Sequence, residues 1–91
     1  MARRAGAVEV GTEACRVAIR EGSAVLVLLA RDAAEGQRRK VESLARARGV
    51  RILAGPARVE LGRRVGRGPL SAVAVTDEKM AKKIMVDADD A

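Results

Sequence analysis

Seven consecutive apolar residues, Ala24 to Ala30 (AVLVLLA), constrain this chain more than any other feature. A strand with one wet face alternates polar and apolar residues, and this run does not. It is also far short of the roughly 20 residues that span a bilayer. An uninterrupted run of strand length needs cover on both faces, which predicts a central strand with helices above and below. The flanks agree. Upstream, Gly11 opens and Gly22 closes a short amphipathic segment; downstream, the run ends on a charged pair, Arg31 and Asp32.

The remainder alternates in the same way. Ala7 to Val10 reads as a short strand, and Thr12 to Glu21 as a helix because Cys15, Ala18 and Ile19 recur at spacings of three and four. Ala34 to Arg48 predicts a second helix, with Val41, Leu44 and Ala45 on one stripe, Arg38, Arg39, Lys40 and Arg46 on the other sides, and Gly49 as its stop. Val50 to Ala54 predicts a strand, Gly55 and Pro56 a turn, and Ala57 to Val65 a helix carrying Ala57, Leu61 and Val65 on one side. After a loop at 66–69 comes a last strand, Leu70 to Val75. Asp77 is placed to cap a final helix containing Met80, Ala81, Ile84 and Met85. Alternating strands and helices predict an α/β fold, a three-layer α/β/α sandwich on a four-stranded mixed sheet. Residues 1–86 read as a single domain, and residues 87–91 as a short acidic tail with Asp87, Asp89 and Asp90.

Composition narrows the function. The chain has 91 residues and no Phe, Tyr or Trp, so its core is built from Val, Leu, Ile, Ala and Met, and bases have no aromatic ring to stack on. Residues 1–86 hold all 18 Lys and Arg and nine of the 12 acids, a net of +9. A body this basic attracts polyanions. With no His and a single Cys, neither a zinc cluster nor a Cys-His or Ser-His-Asp arrangement can be assembled, and no disulfide can close within the chain, which fits a reducing cytoplasm. Cys15 lies on the apolar stripe of its helix and reads as a buried structural thiol. No glycine-rich phosphate fingerprint and no convergent acid/base pair is present. The expectation is a non-enzymatic, cytoplasmic protein without metal or other cofactor.

Motif order then adds a likeness. ARRAG at 2–6, Gly11-Thr12-Glu13, AVLVLLARDA at 24–33, ELGRRVG at 60–66 and SAVAVTDEKMAKKI at 71–84 together resemble the L-seven-Ae ribosomal-protein superfamily, with the YlxQ-like branch of RNA-binding proteins as the nearest pattern. The resemblance implies an α/β/α sandwich that holds structured RNA, ribosomal or kink-turn-like, at one end. It implies contacts from Gly11, Thr12, Glu13 and Arg16 at a helix start, Arg31 and Asp32 in one loop, and Arg67, Gly68 and Leu70 in another. A ribosome, or a translation or transcription factor, is the implied wider setting. The helix start suits this use, because its unpaired N–H groups and partial positive charge attract phosphate.

The chain departs from the family pattern where RNA is read. Kink-turn binders of this family carry Asn-Glu after the glycine and one intervening residue, then a Lys three residues beyond that Glu. Here the matching positions are Glu13, Ala14 and Val17. Ala14 can accept nothing from a base and Val17 cannot hold a phosphate, whereas Arg16 restores a positive charge one residue earlier. These departures keep open an alternative on the same fold, a protein-interaction adaptor in translation or transcription that no longer binds RNA. Family members also carry more helical residues before ARRAG. Either the first helix is truncated or the start lies further upstream; a missing helix would expose apolar sheet surface, and the expected state is a monomer or weak dimer.

Overall fold

The computed structural model describes the backbone of residues 7–90 and the side chains of residues 7–87. The expected first helix falls on residues 1–6, outside the described residues. Eight elements follow in strict alternation: β1 (Val8–Val10), α1 (Thr12–Glu21), β2 (Leu26–Ala30), α2 (Glu35–Arg48), β3 (Arg51–Gly55), α3 (Arg58–Arg64), β4 (Ala72–Val75) and α4 (Glu78–Asp90). The strands form one sheet in the order β1-β4-β2-β3. β2 and β3 are parallel, and β4 runs antiparallel to both of its neighbours. β2 is therefore central, as its unbroken apolar run requires.

Side chains leave the sheet alternately, and each face has its own helices. Val27, Leu29, Ala72, Ala74 and Ile52 meet Cys15, Ala18 and Ile19 of α1 and Val41 and Ala45 of α2. On the other face Leu26, Val75 and Leu53 pack with Ala81, Ile84 and Met85 of α4, while Ala30, Val73 and Val10 pack with Leu61 of α3. The result is the expected three-layer sandwich on a mixed sheet. Truncating Ile19, which is buried to 1% exposure, would cost about 2–5 kcal/mol by the usual scale for large-to-small core changes.

The helix ends follow their local chemistry. Gly22 and Gly49 both adopt the left-handed conformation. Each closes its helix with paired bonds: Ser23 N–H to Ala18 O at 3.0 Å beside Gly22 N–H to Ile19 O at 3.1 Å, and Val50 N–H to Ala45 O at 2.8 Å beside Gly49 N–H to Arg46 O at 3.3 Å. Asp77 caps α4 through Lys79 N–H at 2.9 Å.

Several boundaries differ from the sequence expectation. Val50 closes α2 and so lies outside β3. Leu70 bonds through its N–H to Arg58 O on α3 at 3.1 Å, so β4 starts only at Ala72. α4 runs on through Asp90, so the acidic residues from Asp87 continue that helix and do not form a separate tail. Met80 is 39% exposed and belongs to the rim of its helix, not to its buried stripe. Beside it a hollow of about 550 Å³ opens between α3 and α4, lined by Val8, Leu28, Leu53, Leu61 and Ile84 among others.

Candidate nucleic-acid interface

Strand direction decides which loops meet. β1, β2 and β3 all point the same way and β4 starts where they end, so one edge of the sheet collects the β1–α1, β2–α2 and β3–α3 connections and the loop that enters β4. Backbone bonds stitch these segments side by side. Gly11 N–H donates to Ala72 O at 2.9 Å, Ala30 N–H to Ser71 O at 2.8 Å, and Arg31 N–H to Pro56 O at 3.3 Å. The residues assigned from sequence, Gly11 to Arg16, Arg31 and Asp32, and Arg67 to Leu70, thus come from three separate segments to one edge. The shared strand direction predicts this in physical terms.

Gly11 starts α1 at φ 99 and ψ 157, a region open only to glycine, and no side chain caps the helix. The first N–H groups of α1 are therefore left to solvent or to a ligand, with the positive end of the helix dipole behind them. Thr12 is half-buried beside them. Glu13 is exposed, and its carboxylate accepts from Arg16 Nη1 at 3.0 Å. Ala14 is half-buried, and Val17, one turn on, is 39% exposed with nothing polar to offer.

In the next loop Arg31 is exposed, and among the described residues its guanidinium makes no ion pair. Asp32 has a different task. Its Oδ1 accepts the backbone N–H of Arg58 at 2.7 Å and its Oδ2 lies 3.7 Å from Arg58 Nε, so it caps the start of α3 from across the edge. That backbone bond, helped by the cations Arg58 and Arg31, holds the Asp32 carboxyl below its usual range. Two further cations reach the same edge without having been assigned from sequence. Arg38 donates from Nη2 to Arg31 O at 3.2 Å, and Arg58 stands beside Asp32. Arg38 lies about one turn into α2, which was the available signal; nothing near Arg58 in the sequence announces its pairing with Asp32.

The last segment is braced by α3. Arg67 N–H donates to Gly62 O at 2.8 Å, and a Cβ on Gly62 would collide with Gly68, lying 2.6 Å from its carbonyl carbon. Gly62 is what lets the loop at 66–70 sit flush on α3. Arg67 and Gly68 are exposed, whereas Leu70 is half-buried against Ala30, Leu61 and Val73, which limits how much of it can meet a base.

Below the edge, Cys15 is buried and its thiol faces Glu9 O at 4.0 Å. Burial, with the nearby Glu9 charge, pushes its pKa up to about 12. A thiol so held is inert, in keeping with a structural role. Among the described residues no group of His, Cys, Asp and Glu is arranged to hold a metal ion. No described helix is long and apolar enough to cross a membrane.

The profile of the ribosomal protein L7Ae/L30e/S12e/Gadd45 family matches residues 1–85. The chain belongs to this family. An L7Ae-family chain carries a ribosome- and RNA-associated character, and structured RNA is the family's common partner. The fold agrees: a protein of unknown function from Bacillus halodurans C superimposes with a TM-score of 0.82 at 22% identity, covering 88% of this chain and 81% of that one. Comparison with curated proteins finds no match.

Proposed function

We propose that this protein binds structured RNA without catalysing a reaction, and that the RNA lies on the edge formed by the start of α1, the loop at Arg31 and the loop at Arg67 to Leu70. The observation that carries this reading is the convergence of an uncapped helix start at Gly11 with two exposed arginines, Arg31 and Arg67, that form no ion pair among the described residues, in a fold of this family. Phosphate oxygens satisfy the free N–H groups, and the arginines supply charge-assisted bonds to neighbouring phosphates. Gly11, Thr12 and Gly68 contribute backbone that RNA can approach. Arg16 takes part of the duty that a lysine at position 17 would have. Asp32 acts indirectly, by fixing α3 and through it the second loop.

Base reading is reduced in this chain. Glu13 is the acceptor that remains near the helix start, and it is engaged by Arg16, so recognition leans on RNA shape and phosphate. The RNA we assign is structured RNA, ribosomal or kink-turn-like, and the compartment the cytoplasm. Filter binding against a kink-turn RNA, with duplex DNA of equal length as control, tests the reading. The RNA is expected to bind more tightly than the DNA, with affinity falling steeply as salt rises. Arg31→Ala is expected to weaken RNA binding and flatten that dependence with no change in melting temperature. Equal affinity for both nucleic acids, or RNA binding indifferent to Arg31→Ala and Arg67→Ala, would sink it.

A further inference from the structure

Positive charge also gathers away from the loop edge. Between α1 and α2, on the face remote from α3 and α4, lies a shallow cleft of about 450 Å³ lined by Arg16, Arg20, Arg39, Lys40, Ser43 and Leu44. Four of its six lining residues are cations and none is an acid. Glu13 and Glu35 offset two of them from one turn away, through Arg16 Nη1 at 3.0 Å and Arg39 Nε at 3.2 Å. Arg20 and Lys40 are exposed and form no ion pair among the described residues. The Nε of Arg16, one of the lining residues, is buried and has no hydrogen-bond partner among the described residues. Near the other end of α1, Arg48 Nη1 donates to Arg20 O at 3.0 Å, which extends the basic face and ties α2 to α1. Like charges gathered in one hollow repel one another, and an anion between them removes that repulsion.

We infer that this cleft is a second phosphate-binding site, which holds the backbone of the same RNA where it runs on from the loop edge along α1 and α2. The inference rests on the RNA-binding reading above and adds a site to it. Three observations choose an RNA backbone over an acidic protein surface. The cleft is continuous with the edge, because Arg16 lies little more than a turn from Gly11, and Arg38, the neighbour of Arg39, bonds to Arg31 O at 3.2 Å. Its donors are mostly guanidinium forks, which grip phosphate oxygens two at a time, with the Ser43 hydroxyl beside them. Leu44 is the one apolar residue among those that line it, whereas a protein anchor site gathers several. Arg16 and Arg20 are one helical turn apart, so successive phosphates of one strand can engage them in turn.

The test compares the full chain with two variants that lose equal charge: Arg20→Gln with Lys40→Gln in the cleft, and Lys82→Gln with Lys83→Gln on exposed positions of α4. Affinity for a kink-turn hairpin RNA with long stems is measured from about 0.05 to 0.2 M salt. Each phosphate that the protein ceases to neutralise reduces the slope of log affinity against log salt by about 0.9, so the cleft variant is expected to lower the slope by roughly 2 and the affinity on the order of tenfold. The α4 variant is expected to keep the wild-type slope, and both are expected to keep the wild-type melting temperature. Equal reductions in the two variants would show general attraction to a basic body and overturn the site. So would a cleft variant that binds like wild type, which would leave an acidic protein surface as the occupant. If wild type itself binds no RNA, the functional reading fails first and this inference fails with it.

Discussion

Gly62→Ala gives the sharpest check on how the interface is held. Inside an exposed helix, glycine to alanine ordinarily stabilises by about 1 kcal/mol, because alanine loses less backbone entropy and favours the helix. At Gly62 the new methyl group would overlap the backbone of the loop, with Gly68 C at 2.6 Å and Arg67 O at 2.9 Å. These are backbone atoms, which cannot rotate aside as a side-chain tip can. The loop must lift from α3, and the bond from Arg67 N–H to Gly62 O at 2.8 Å goes with it. Breaking that bond costs about 1 kcal/mol, and overpacking a tight contact costs about 1–3 kcal/mol. Set against the helix gain, the net effect is a destabilisation of roughly 1–3 kcal/mol. For a domain of this size that lowers the melting temperature by about 4–8 °C per kcal/mol. Thermal denaturation followed by circular dichroism measures the shift, and amide chemical shifts of 66–70 report whether the loop moves. A melting temperature that rises would mean that helix propensity wins and the loop yields freely, and the account of how α3 sets the loop would be wrong. If the loop moves, RNA affinity should fall in the same variant although no cation is touched.

Other expectations follow from individual residues. Glu13→Asn with Ala14→Glu restores the acceptor pair that the family pattern places at the helix start, and should raise affinity for a kink-turn RNA over a simple duplex; unchanged selectivity would place base reading elsewhere. Cys15 keeps its proton up to about pH 12 in the folded protein but releases it near its ordinary 9.0 when unfolded. The folded state therefore holds the extra proton between those values, and stability should fall as pH rises from about 9 towards 12, a decline absent in Cys15→Ala. Native protein at about pH 8, below the ordinary thiol range, should resist iodoacetamide until it unfolds; rapid alkylation under native conditions would contradict the burial. Asp32→Ala removes the cap on α3 and should lower the melting temperature more than Asp32→Asn, which keeps an acceptor oxygen. The contribution of the Asp32 charge is present above the ordinary carboxylate value of 3.8 and is lost as pH falls below it, so the stability lead of wild type over Asp32→Asn should shrink in acid.

Elements were legible wherever a period or a special backbone angle governs them. The run Ala24 to Ala30 needs two covered faces and has them; Gly22 and Gly49 end helices because both sit in the left-handed region. The meeting of Gly11, Arg31 and Arg67 at one edge was legible too, since strands that share a direction end together. What escaped depends on pairs distant in sequence. Asp32 reads as one of two charges at a strand end, and only the approach of α3, 26 residues later, makes it a cap. Gly62 reads as an indifferent helix residue until the loop returns onto it. Leu70 looks like the start of a strand because it is apolar beside an apolar run, yet its N–H belongs to Arg58. Arg16 and Arg39 sit on different helices, and no period within either helix foretells a shared cleft.

Those same pairs bear on how an RNA would be distinguished. Contacts to phosphate set position and affinity, while contacts to base edges set selectivity. On the proposed interface the free donors are backbone N–H groups and guanidinium groups, all suited to phosphate. The carboxylate best placed for a base, Glu13, is held by Arg16 at 3.0 Å. Freeing Glu13 to accept from a base would leave the Arg16 guanidinium needing another anion, and the cleft below it is where a phosphate would stand. On this reading the two sites are coupled through one side chain: a phosphate on Arg16 releases Glu13, and a base on Glu13 releases Arg16 for the phosphate. An RNA long enough to reach the cleft would then gain selectivity at the helix start as well as affinity, which a short RNA confined to the edge would not.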